Sequence, residues 1–336
     1  MRFGLALPHY DFSLPDGEPI TFRRTAEHAQ LAERLGFDSV WISDHFFYSF
    51  ARYGASPDPV AALEPLTALA GIAALTERVR IGSLVLGAPF RHPAMLAKMV
   101  TTIDAISGGR LDLGIGAGWL EEEFTAFGYG FGTVGERFEK LENTLRALEA
   151  LFSGDPATLD AGDVHLREAR VLPAPVQKPR PPLWLGGKGG DRLLGLAARY
   201  ADGWNTVWRW SVAPYAQRTR AARRACEAVG RDPATLRLSV GMYSVIAENE
   251  RELSALFEQQ STAFPGDAMR SETLQTWCAD TLSGTPEQVI ARVRAFESIG
   301  VEELIVSPSV LPFAIPRPEQ LDLFAEQVIA PLRTAS

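Results

Sequence analysis

Short runs of β-branched and other apolar residues alternate with longer segments of helical periodicity along most of this 336-residue chain. The short runs predict eight strands, at residues 2–7, 38–42, 79–85, 110–115, 183–185, 203–207, 236–246 and 303–306. The longer segments predict helices at residues 22–35, 66–75, 93–106, 137–152, 191–200, 212–229, 286–299 and 318–332. Strands that alternate with helices form a parallel sheet covered by those helices. Because there are eight such units, we expect a closed (β/α)8 TIM barrel rather than a doubly wound sheet.

No linker-like change of composition divides the chain, so we expect a single barrel domain over residues 1–336 with two insertions. A polar, proline-rich excursion lies near residues 153–182 and contains a predicted hairpin at 163–172. A second insertion lies near residues 259–284 and has an irregular stretch at 264–267.

The composition excludes several classes of protein. Apolar residues make up 46% of the chain and charged residues 22%, as in ordinary globular proteins. The formal charge is −8 without a basic stripe, which argues against a nucleic-acid partner. The two cysteines, Cys226 and Cys278, cannot form a disulfide framework. The longest apolar stretch, at 65–75, is too short to span a bilayer, and the strand-like N-terminus lacks a signal-peptide core. We expect a cytoplasmic enzyme without a membrane partner.

In a barrel of this kind, catalytic groups sit at the carboxyl ends of the strands. Asp44 and His45 directly follow the second predicted strand. This position would bring an imidazole to the barrel mouth, with a carboxylate that orients it or raises its basicity. The alternative is a structural histidine preceded by a helix-capping aspartate.

The segment after the third predicted strand, at residues 87–93, offers Arg91, His92 and an aromatic side chain to the barrel mouth. Its two prolines also fit an ordinary turn, in which Arg91 is solvated. Both interpretations stay open from the sequence.

Alternate glycines end the fourth predicted strand, at Gly114, Gly116 and Gly118, and are followed by Trp119. Glycines at this spacing let another group approach the backbone closely. Their spacing is not that of a dinucleotide-binding fingerprint. The glutamates that follow, at 121–123, could offer carboxylates to the site, but we expect them to be a solvated helix start.

Four glycines surround a lysine between the fifth predicted strand and the next helix, at Gly186, Gly187, Lys188, Gly189 and Gly190. Backbone N–H groups freed by glycines at a helix N-terminus can hold an anion, which the helix dipole also favours. The alternative is a flexible turn. The loop is not a Walker A motif, and the five histidines of the chain show no metal-ligand spacing.

Taken jointly, these motifs resemble the bacterial luciferase-like superfamily of flavin and deazaflavin oxidoreductases, and the match runs nearly end to end. It includes Gly-Phe-Asp-Ser-Val-Trp-Ile-Ser-Asp-His at 36–45, Arg-Val-Arg-Ile-Gly at 78–82, His-Pro-Ala-Met-Leu-Ala-Lys at 92–98, Ser-Gly-Gly-Arg-Leu at 107–111, Gly-Ile-Gly-Ala-Gly-Trp at 114–119, Pro-Pro-Leu-Trp-Leu-Gly-Gly at 181–187 and Ala-Asp-Gly-Trp at 201–204. The sequences Asp-His-Phe-Phe and Gly-Ala-Gly-Trp are similar to those of the branch that uses coenzyme F420, a 5-deazaflavin.

The resemblance implies a cofactor ring at the barrel mouth with His45 near its reactive carbon and Asp44 beside that histidine. It implies a bulge with a non-prolyl cis peptide behind the ring, which falls at Leu84 and Val85. The remaining cofactor-binding positions that it implies are the glycine run with its tryptophan and the glycine loop that meets the cofactor phosphate: Gly116, Gly118, Trp119, Gly186, Gly187, Lys188 and Gly189.

Two positions depart from a well-known sugar-phosphate branch of the superfamily. That branch has a glutamate where this chain has Trp119, so we do not expect sugar-phosphate oxidation. It also has a lysine in the loop after the sixth strand, where this chain reads Val-Trp-Arg-Trp at 207–210. We expect Trp208 of that loop to contact the cofactor and make the pocket apolar.

The resemblance therefore predicts an F420-dependent oxidoreductase that moves a hydride between the deazaflavin and a small organic substrate. The alternative is an FMN-dependent monooxygenase served by a separate flavin reductase, and a third interpretation is a non-enzymatic flavin-binding protein. Superfamily members are commonly dimers, and the apolar helices at 66–75 and 93–106 could form a homodimer interface.

Overall fold

The computed structural model describes residues 1–15 and 17–334. Eight parallel strands pair in chain order, and the barrel closes because the last strand returns to the first, with Phe3 opposite Leu304. This confirms the predicted fold. The strands, numbered β1 to β8, are Arg2–Ala6, Ser39–Ile42, Arg80–Ser83, Leu111–Gly116, Leu183–Gly186, Gly203–Trp208, Arg237–Tyr243 and Glu303–Ser307.

Helices surround the barrel and bury their apolar faces against the outside of the sheet. Numbered α1 to α12, the α-helices of the described residues are Phe22–Arg34, Pro65–Leu75, Pro93–Ser107, Glu121–Ala126, Val134–Phe152, Asp191–Tyr200, Val212–Ala228, Glu250–Thr262, Leu274–Ala279, Pro286–Ser298, Glu319–Phe324 and Ala330–Thr334.

The ends of α3 show how the sequence places these helices. The His92 side chain accepts a hydrogen bond from the N–H of Ala94, and Pro93 occupies the first helical position. Gly108 ends the helix at a φ of 64°, in the left-handed region that glycine adopts without a steric penalty. The helix therefore begins directly after the loop at 87–92, which belongs to the barrel mouth.

Large rings fill the barrel interior where neighbouring strands carry glycine. The Trp41 indole occupies the space beside Gly4 and Gly82, where a Cβ atom would come within 2.7 Å and 2.3 Å of the ring. The Trp184 ring fills the space at Gly203 in the same way, since a Cβ there would lie 2.2 Å from it. The barrel is thus a packed core, and any ligand site must lie above these rings.

The structure corrects several predicted boundaries. Helix α5 begins at Val134 rather than 137, because Thr133 and Glu136 form a capping box that the sequence interpretation did not use. The third strand ends at Ser83 rather than 85, and pairing to β4 resumes only at Leu86–Gly87. The seventh strand spans seven residues and not the predicted stretch 236–246. The last predicted helix, at 318–332, is divided by a π-helical turn at Ala325–Ile329.

Two hairpins are inserted between the barrel elements, one near its predicted position and one that was not predicted. The excursion after α5 contains a hairpin, but its strands are Ala157–Ala161 and Val164–Ala169 rather than residues 163–172. A short hairpin that pairs Phe47–Tyr48 with Val60–Ala61 follows β2 and was not predicted. No helix within residues 1–15 and 17–334 is both long and apolar enough to cross a membrane.

Candidate active site

A cavity of about 810 Å³ opens at the carboxyl ends of the barrel strands. This volume is within the range of small-molecule sites, roughly 300–1,000 Å³. The structure brings eleven of the twelve predicted site residues to its wall, Gly189 being the exception; the eleven are Asp44, His45, Leu84, Val85, Gly116, Gly118, Trp119, Gly186, Gly187, Lys188 and Trp208. Their roles in catalysis and cofactor binding stay predictions.

His45 is held by a carboxylate that the sequence interpretation did not assign to it. Its Nδ1 atom lies 3.0 Å from Oε1 of Glu123, and Oε2 of Glu123 accepts a hydrogen bond of 2.9 Å from the N–H of Phe46. The side chains of His45 and Glu123 are 9% and 2% exposed. Because the carboxylate accepts from Nδ1, the other ring nitrogen, Nε2, is left for the cavity.

The expectation that the acidic run at 121–123 is solvated is wrong for its last residue. Glu123 is buried, whereas Glu121 and Glu122 are exposed. The signal was the helical spacing, because Glu123 lies three residues after Leu120, which is buried. A carboxylate on the apolar face of a helix indicates a partner in the interior.

The expectation that Asp44 orients His45 is also wrong. The Asp44 carboxylate accepts hydrogen bonds of 2.6 Å and 3.0 Å from the two terminal nitrogens of Arg91 and one of 2.9 Å from the N–H of Gly87. Arg91 also donates to Glu64. Arg91 is therefore not solvated, and Asp44 joins the segments after the second and third strands at the cavity wall.

Burial and the two neighbouring carboxylates shift the pKa of Arg91 in opposite directions. Burial lowers the pKa of Arg91, but the hydrogen bonds and charges of Asp44 and Glu64 outweigh it and hold that pKa above its ordinary value. Arg91 is thus a permanent cation, and its bidentate contact fixes the Asp44 carboxylate in one orientation.

A second histidine lies behind the cavity wall. The Nδ1 atom of His9 lies 2.9 Å from the carbonyl oxygen of Leu7, and its Nε2 atom lies 2.9 Å from the hydroxyl oxygen of Ser43. Since a carbonyl only accepts, Nδ1 carries the proton and Nε2 accepts from Ser43. The hydroxyl of Tyr10 bonds to the same Ser43 oxygen, and Tyr10 and Ser43 line the cavity.

Burial keeps His9, at one end of this chain of hydrogen bonds, uncharged. It lowers the pKa of His9 to about 3, so the ring is neutral at physiological pH. Sequence reasoning missed His9 and Tyr10, although both lie within four residues of the carboxyl end of the first strand.

The segment predicted to lie behind the ring has the expected backbone. The peptide bond between Leu84 and Val85 is cis, and so is that between Val207 and Trp208, which was not predicted. The Val85 methyl groups fill the space left by glycines on two neighbouring strands. A Cβ would lie 2.8 Å from Val85 at Gly114, 3.1 Å at Gly116 and 2.5 Å at Gly186. Val85 therefore approaches the backbone at these glycines, and at Gly114 the Ser83 carbonyl oxygen comes closer still, since a Cβ there would lie 2.0 Å from it.

The glycine loop after β5 is only partly available to an anion. The N–H of Gly187 donates to the carbonyl of Asn205 at 3.1 Å, and the Gly187 carbonyl accepts from the Trp204 indole at 3.0 Å. A Cβ at Gly187 would lie 2.8 Å from Leu193, and one at Gly189 would lie 2.7 Å from Trp204. These two glycines are required by local packing, so the expectation that all four free their N–H groups is wrong at Gly187.

Gly190 differs from the other glycines of the loop. It is the N-cap of α6, and no side chain accepts from the first turn of that helix. A Cβ at Gly190 would meet nothing within 4 Å. Lys188 beside it donates its Nζ to the carbonyl of Val207, and burial lowers its pKa. The open end of α6, with a cation beside it, is the part of the loop suited to a phosphate.

Two tryptophans line the cavity, and one of them contacts His45. Trp119 is 46% exposed and meets the His45 ring edge-on, with 5.6 Å between ring centres. Trp208 stacks on Tyr243 at 5.3 Å. The cavity wall is thus largely aromatic around one imidazole.

The sequence of the barrel matches a known family model. Residues 1–303 match the model described as luciferase-like monooxygenase. The chain belongs to the luciferase-like monooxygenase family. The earlier resemblance is thereby confirmed at the level of the family.

Relatives of this luciferase-like protein include enzymes with different cofactors in their names. The F420-dependent glucose-6-phosphate dehydrogenase of Amycolatopsis mediterranei is 26% identical, over 93% of this chain and 95% of its own. The FMNH2-dependent dimethylsulfone monooxygenase of Pseudomonas putida is also 26% identical, over 82% of this chain and 80% of its own. The equal identities leave the branch within the family open.

Solved structures support the same fold. An F420-dependent secondary alcohol dehydrogenase, solved with an F420–acetone adduct, superposes with a TM-score of 0.77 at 18% identity and covers 98% of both chains. At this identity the likeness concerns the luciferase-like fold.

Proposed function

We propose that this luciferase-like protein is a coenzyme F420-dependent oxidoreductase that moves a hydride between the deazaflavin and a small organic substrate. The observation that carries the proposal is the fixed imidazole of His45. Its Nδ1 is bonded to Glu123, and its Nε2 has no hydrogen-bond partner in the described part of the chain. A histidine held in this way at a cavity wall is suited to exchange a proton with a ligand.

The cavity offers matching surfaces for a ring and a phosphate. The apolar side chains of Leu84 and Val85 line the same cavity as His45. The uncapped end of α6 at Gly190 provides backbone donors for the phosphate, and Lys188 adds a nearby positive charge. Trp208 would border the ring on the opposite side of the barrel mouth. A bound deazaflavin supplies or accepts the hydride, since that chemistry belongs to the cofactor.

The side chains of the protein would then handle the proton. When a carbon atom of the substrate gains a hydride, its bonded oxygen or carbon must gain a proton, and Nε2 of His45 can donate it. In the reverse direction Nε2 accepts that proton. Glu123 keeps the ring in one orientation and stabilises its charged form through the hydrogen bond at Nδ1. The apolar walls exclude water from this exchange.

The alternative function is an FMN-dependent monooxygenase that works with a separate flavin reductase. The FMNH2-dependent relative from Pseudomonas putida matches 82% of this chain, and this match favours the alternative. The same phosphate and ring surfaces would serve FMN, so the two functions differ in the chromophore and in the use of oxygen.

Reconstitution tests the choice directly. We expect coenzyme F420 to bind with quenching of its fluorescence, and reduced F420 to be oxidised anaerobically by a substrate in a reaction that His45→Ala slows. Tight binding of FMN without binding of F420, together with oxygen uptake from reduced FMN, would establish the monooxygenase instead.

We also propose that the protein forms a homodimer. Apolar side chains are exposed on α2 and α3, with Leu75 at 47%, Met95 at 61% and Ile106 at 45%. Light scattering that gives the mass of one chain at all concentrations would exclude this.

A further inference from the structure

The cavity extends beyond His45 into a space with aromatic walls. We call this space the aromatic chamber and define it by six side chains that line the cavity: Tyr48, Phe50, Tyr53, Tyr243, Phe264 and Trp277. Such walls favour an apolar occupant, since aromatic side chains bury large areas and interact best with flat groups.

Two inserted segments close the chamber from above. The N–H of Asp267 donates to the carbonyl of Tyr53 at 2.7 Å, which joins the segment after β2 to the segment after α8. Gly266 has a φ of 85°, and a Cβ there would lie 2.1 Å from the Tyr53 carbonyl oxygen. The segments therefore pack backbone against backbone, and the Tyr53 ring meets Phe264 edge-on at 5.6 Å.

One wall of the chamber is a continuous stack of three rings. Trp208 and Tyr243 lie 5.3 Å apart with an angle of 21° between their planes. Tyr243 and Trp277 lie 5.2 Å apart at 27°. Because each ring covers the face of the next, the stack turns its ring edges toward the cavity that all three side chains line. Ring edges carry partial positive charge and attract the face of an aromatic guest, so this wall favours a planar aromatic molecule over a flexible chain.

Among the described residues, Arg52 at the chamber entrance lacks a carboxylate partner. Its guanidinium lies 4.8 Å from the centre of the Trp119 ring and 5.2 Å from that of Tyr53. The neighbouring Arg209 is different, because Glu272 and Asp280 pair with it at 2.5 Å and 2.8 Å. A cation held over aromatic rings at a pocket entrance keeps its donors for an anion.

A second polar group faces the same space. Tyr243 lines the cavity, and its hydroxyl has no hydrogen-bond partner in residues 1–15 and 17–334. Burial raises the pKa of this hydroxyl, and the positive charges of Arg209 and Arg52 act on it in the opposite direction. The phenol therefore stays protonated and can donate to an oxygen of a ligand.

We infer that the substrate is a planar aromatic acid, whose ring face lies against the ring edges of Trp208, Tyr243 and Trp277 and whose carboxylate or phenolate pairs with Arg52. This inference rests on the proposed function, because it takes the cavity beside His45 as the site of the redox reaction. It adds the chemical class of the substrate. A bidentate contact with Arg52 would fix the orientation of the ring relative to His45.

Binding of simple probes to the cofactor-loaded protein tests the inference. The probes are 2-naphthoate, its uncharged counterpart 2-naphthamide, and octanoate, which has the charge without the plane. We expect 2-naphthoate to bind at least tenfold more tightly than either of the others in calorimetric titrations. Arg52→Gln should abolish the preference for 2-naphthoate over 2-naphthamide. The matched control is Arg294→Gln, at an exposed arginine on α10, which should keep that preference.

The outcomes separate this inference from the proposed function. The titrations are done with F420-loaded and FMN-loaded protein in parallel, and cofactor binding is measured by its own absorbance. Equal affinity for 2-naphthoate and 2-naphthamide in the wild-type protein, or a preference that survives Arg52→Gln, overturns the inference even when F420 binds. Tight octanoate binding overturns the inferred preference for a planar ring over a flexible chain. Failure of F420 to bind contradicts the proposed function and leaves the probe titrations with FMN to decide the substrate class.

Discussion

His45 and Glu123 are 78 residues apart in the sequence, and a hydrogen bond of 3.0 Å joins Nδ1 of the histidine to Oε1 of the glutamate. The first follows β2 and the second lies on α4, so the contact couples two loops of the barrel mouth. It fixes which ring nitrogen carries a proton in the neutral state and turns the other toward the cavity.

The first prediction concerns Glu123. Glu123→Gln keeps the size of the side chain but removes the carboxylate that accepts from Nδ1 of His45. We expect kcat to fall by about 10²-fold, within the roughly 10²–10⁴ that acid–base groups contribute. The dissociation constant of the cofactor should change little, since Glu123 contacts His45 and the backbone of Phe46.

The control is the neighbouring exposed residue, with Glu122→Gln. It removes the same charge from the same helix and should leave kcat unchanged. Equal loss in both variants would mean that the charge of α4, and not the contact with His45, affects turnover. Full activity of Glu123→Gln would remove the proposed role of the pair.

The second prediction concerns Asp44, which the structure assigns to structural pairing. Asp44→Asn leaves the buried Arg91 with only Glu64 as a charged partner. Removing one partner of a buried ion pair costs about 3–5 kcal/mol, and we expect about 3 kcal/mol here because Glu64 remains. Glu64 is 42% exposed, so Glu64→Gln should cost about 1 kcal/mol or less. Urea unfolding measures both, and a loss of turnover without a loss of stability would restore a catalytic role for Asp44.

The third prediction concerns His9 and pH. Burial lowers the pKa of His9 from 6.5 to about 3, so the unfolded chain takes up a proton at this residue before the folded protein does. Its contribution to stability is complete above pH 6.5 and is lost as the pH falls from there toward 3. The free energy of unfolding should therefore decrease by about 2 kcal/mol from pH 7 to pH 5 on account of His9 alone.

His9→Gln tests this through the slope of stability against pH, which does not depend on the absolute stability of the variant. The slope between pH 7 and 5 should become shallower by about 0.7 proton on average. His165→Gln is the control, because His165 is 63% exposed on the outer hairpin. An unchanged slope in His9→Gln would show that His9 is protonated in the folded protein.

Much of the fold could be predicted because periodicity reports burial. The eight strands and most helices follow from apolar spacing, and Asp191–Tyr200 has the predicted bounds. The hairpin that pairs Phe47–Tyr48 with Val60–Ala61 could not be found in this way, since two-residue strands have no period.

The site was predicted less completely, because sequence order shows which residues follow a strand but not which side chains meet. The rule that catalytic groups follow the barrel strands placed Asp44 and His45 at the barrel mouth correctly. The prediction that they contact each other rested only on their being adjacent in sequence. Their actual partners, Arg91 and Glu123, lie on other loops. The glycine loop shows the same limit, because a glycine needed for packing against Leu193 looks like one that holds a phosphate.

The last prediction concerns that loop and uses Gly190 rather than Gly187. Gly187 has a φ of 152°, and a side chain there would collide with Leu193, so its replacement would disturb the loop. Gly190 has a φ of −67° and open space around its Cβ, so it accepts a side chain without strain. An aspartate there would cap the first turn of α6 and put a negative charge where the phosphate is expected.

We therefore expect Gly190→Asp to keep or raise the melting temperature while weakening a phosphorylated cofactor. The affinity should fall about tenfold, or by about 1.4 kcal/mol. The new carboxylate accepts from the N–H groups of the first turn and cancels the positive potential there. A dephosphorylated analogue should bind as before. Gly190→Ala adds a side chain without the charge or the cap and should leave both ligands nearly unaffected. If Gly190→Asp weakens both ligands equally, the loop borders the ring and not the phosphate; if it weakens neither, the phosphate lies away from α6. Only a selective loss of the phosphorylated form in the aspartate variant supports the N-terminus of this helix as the phosphate site.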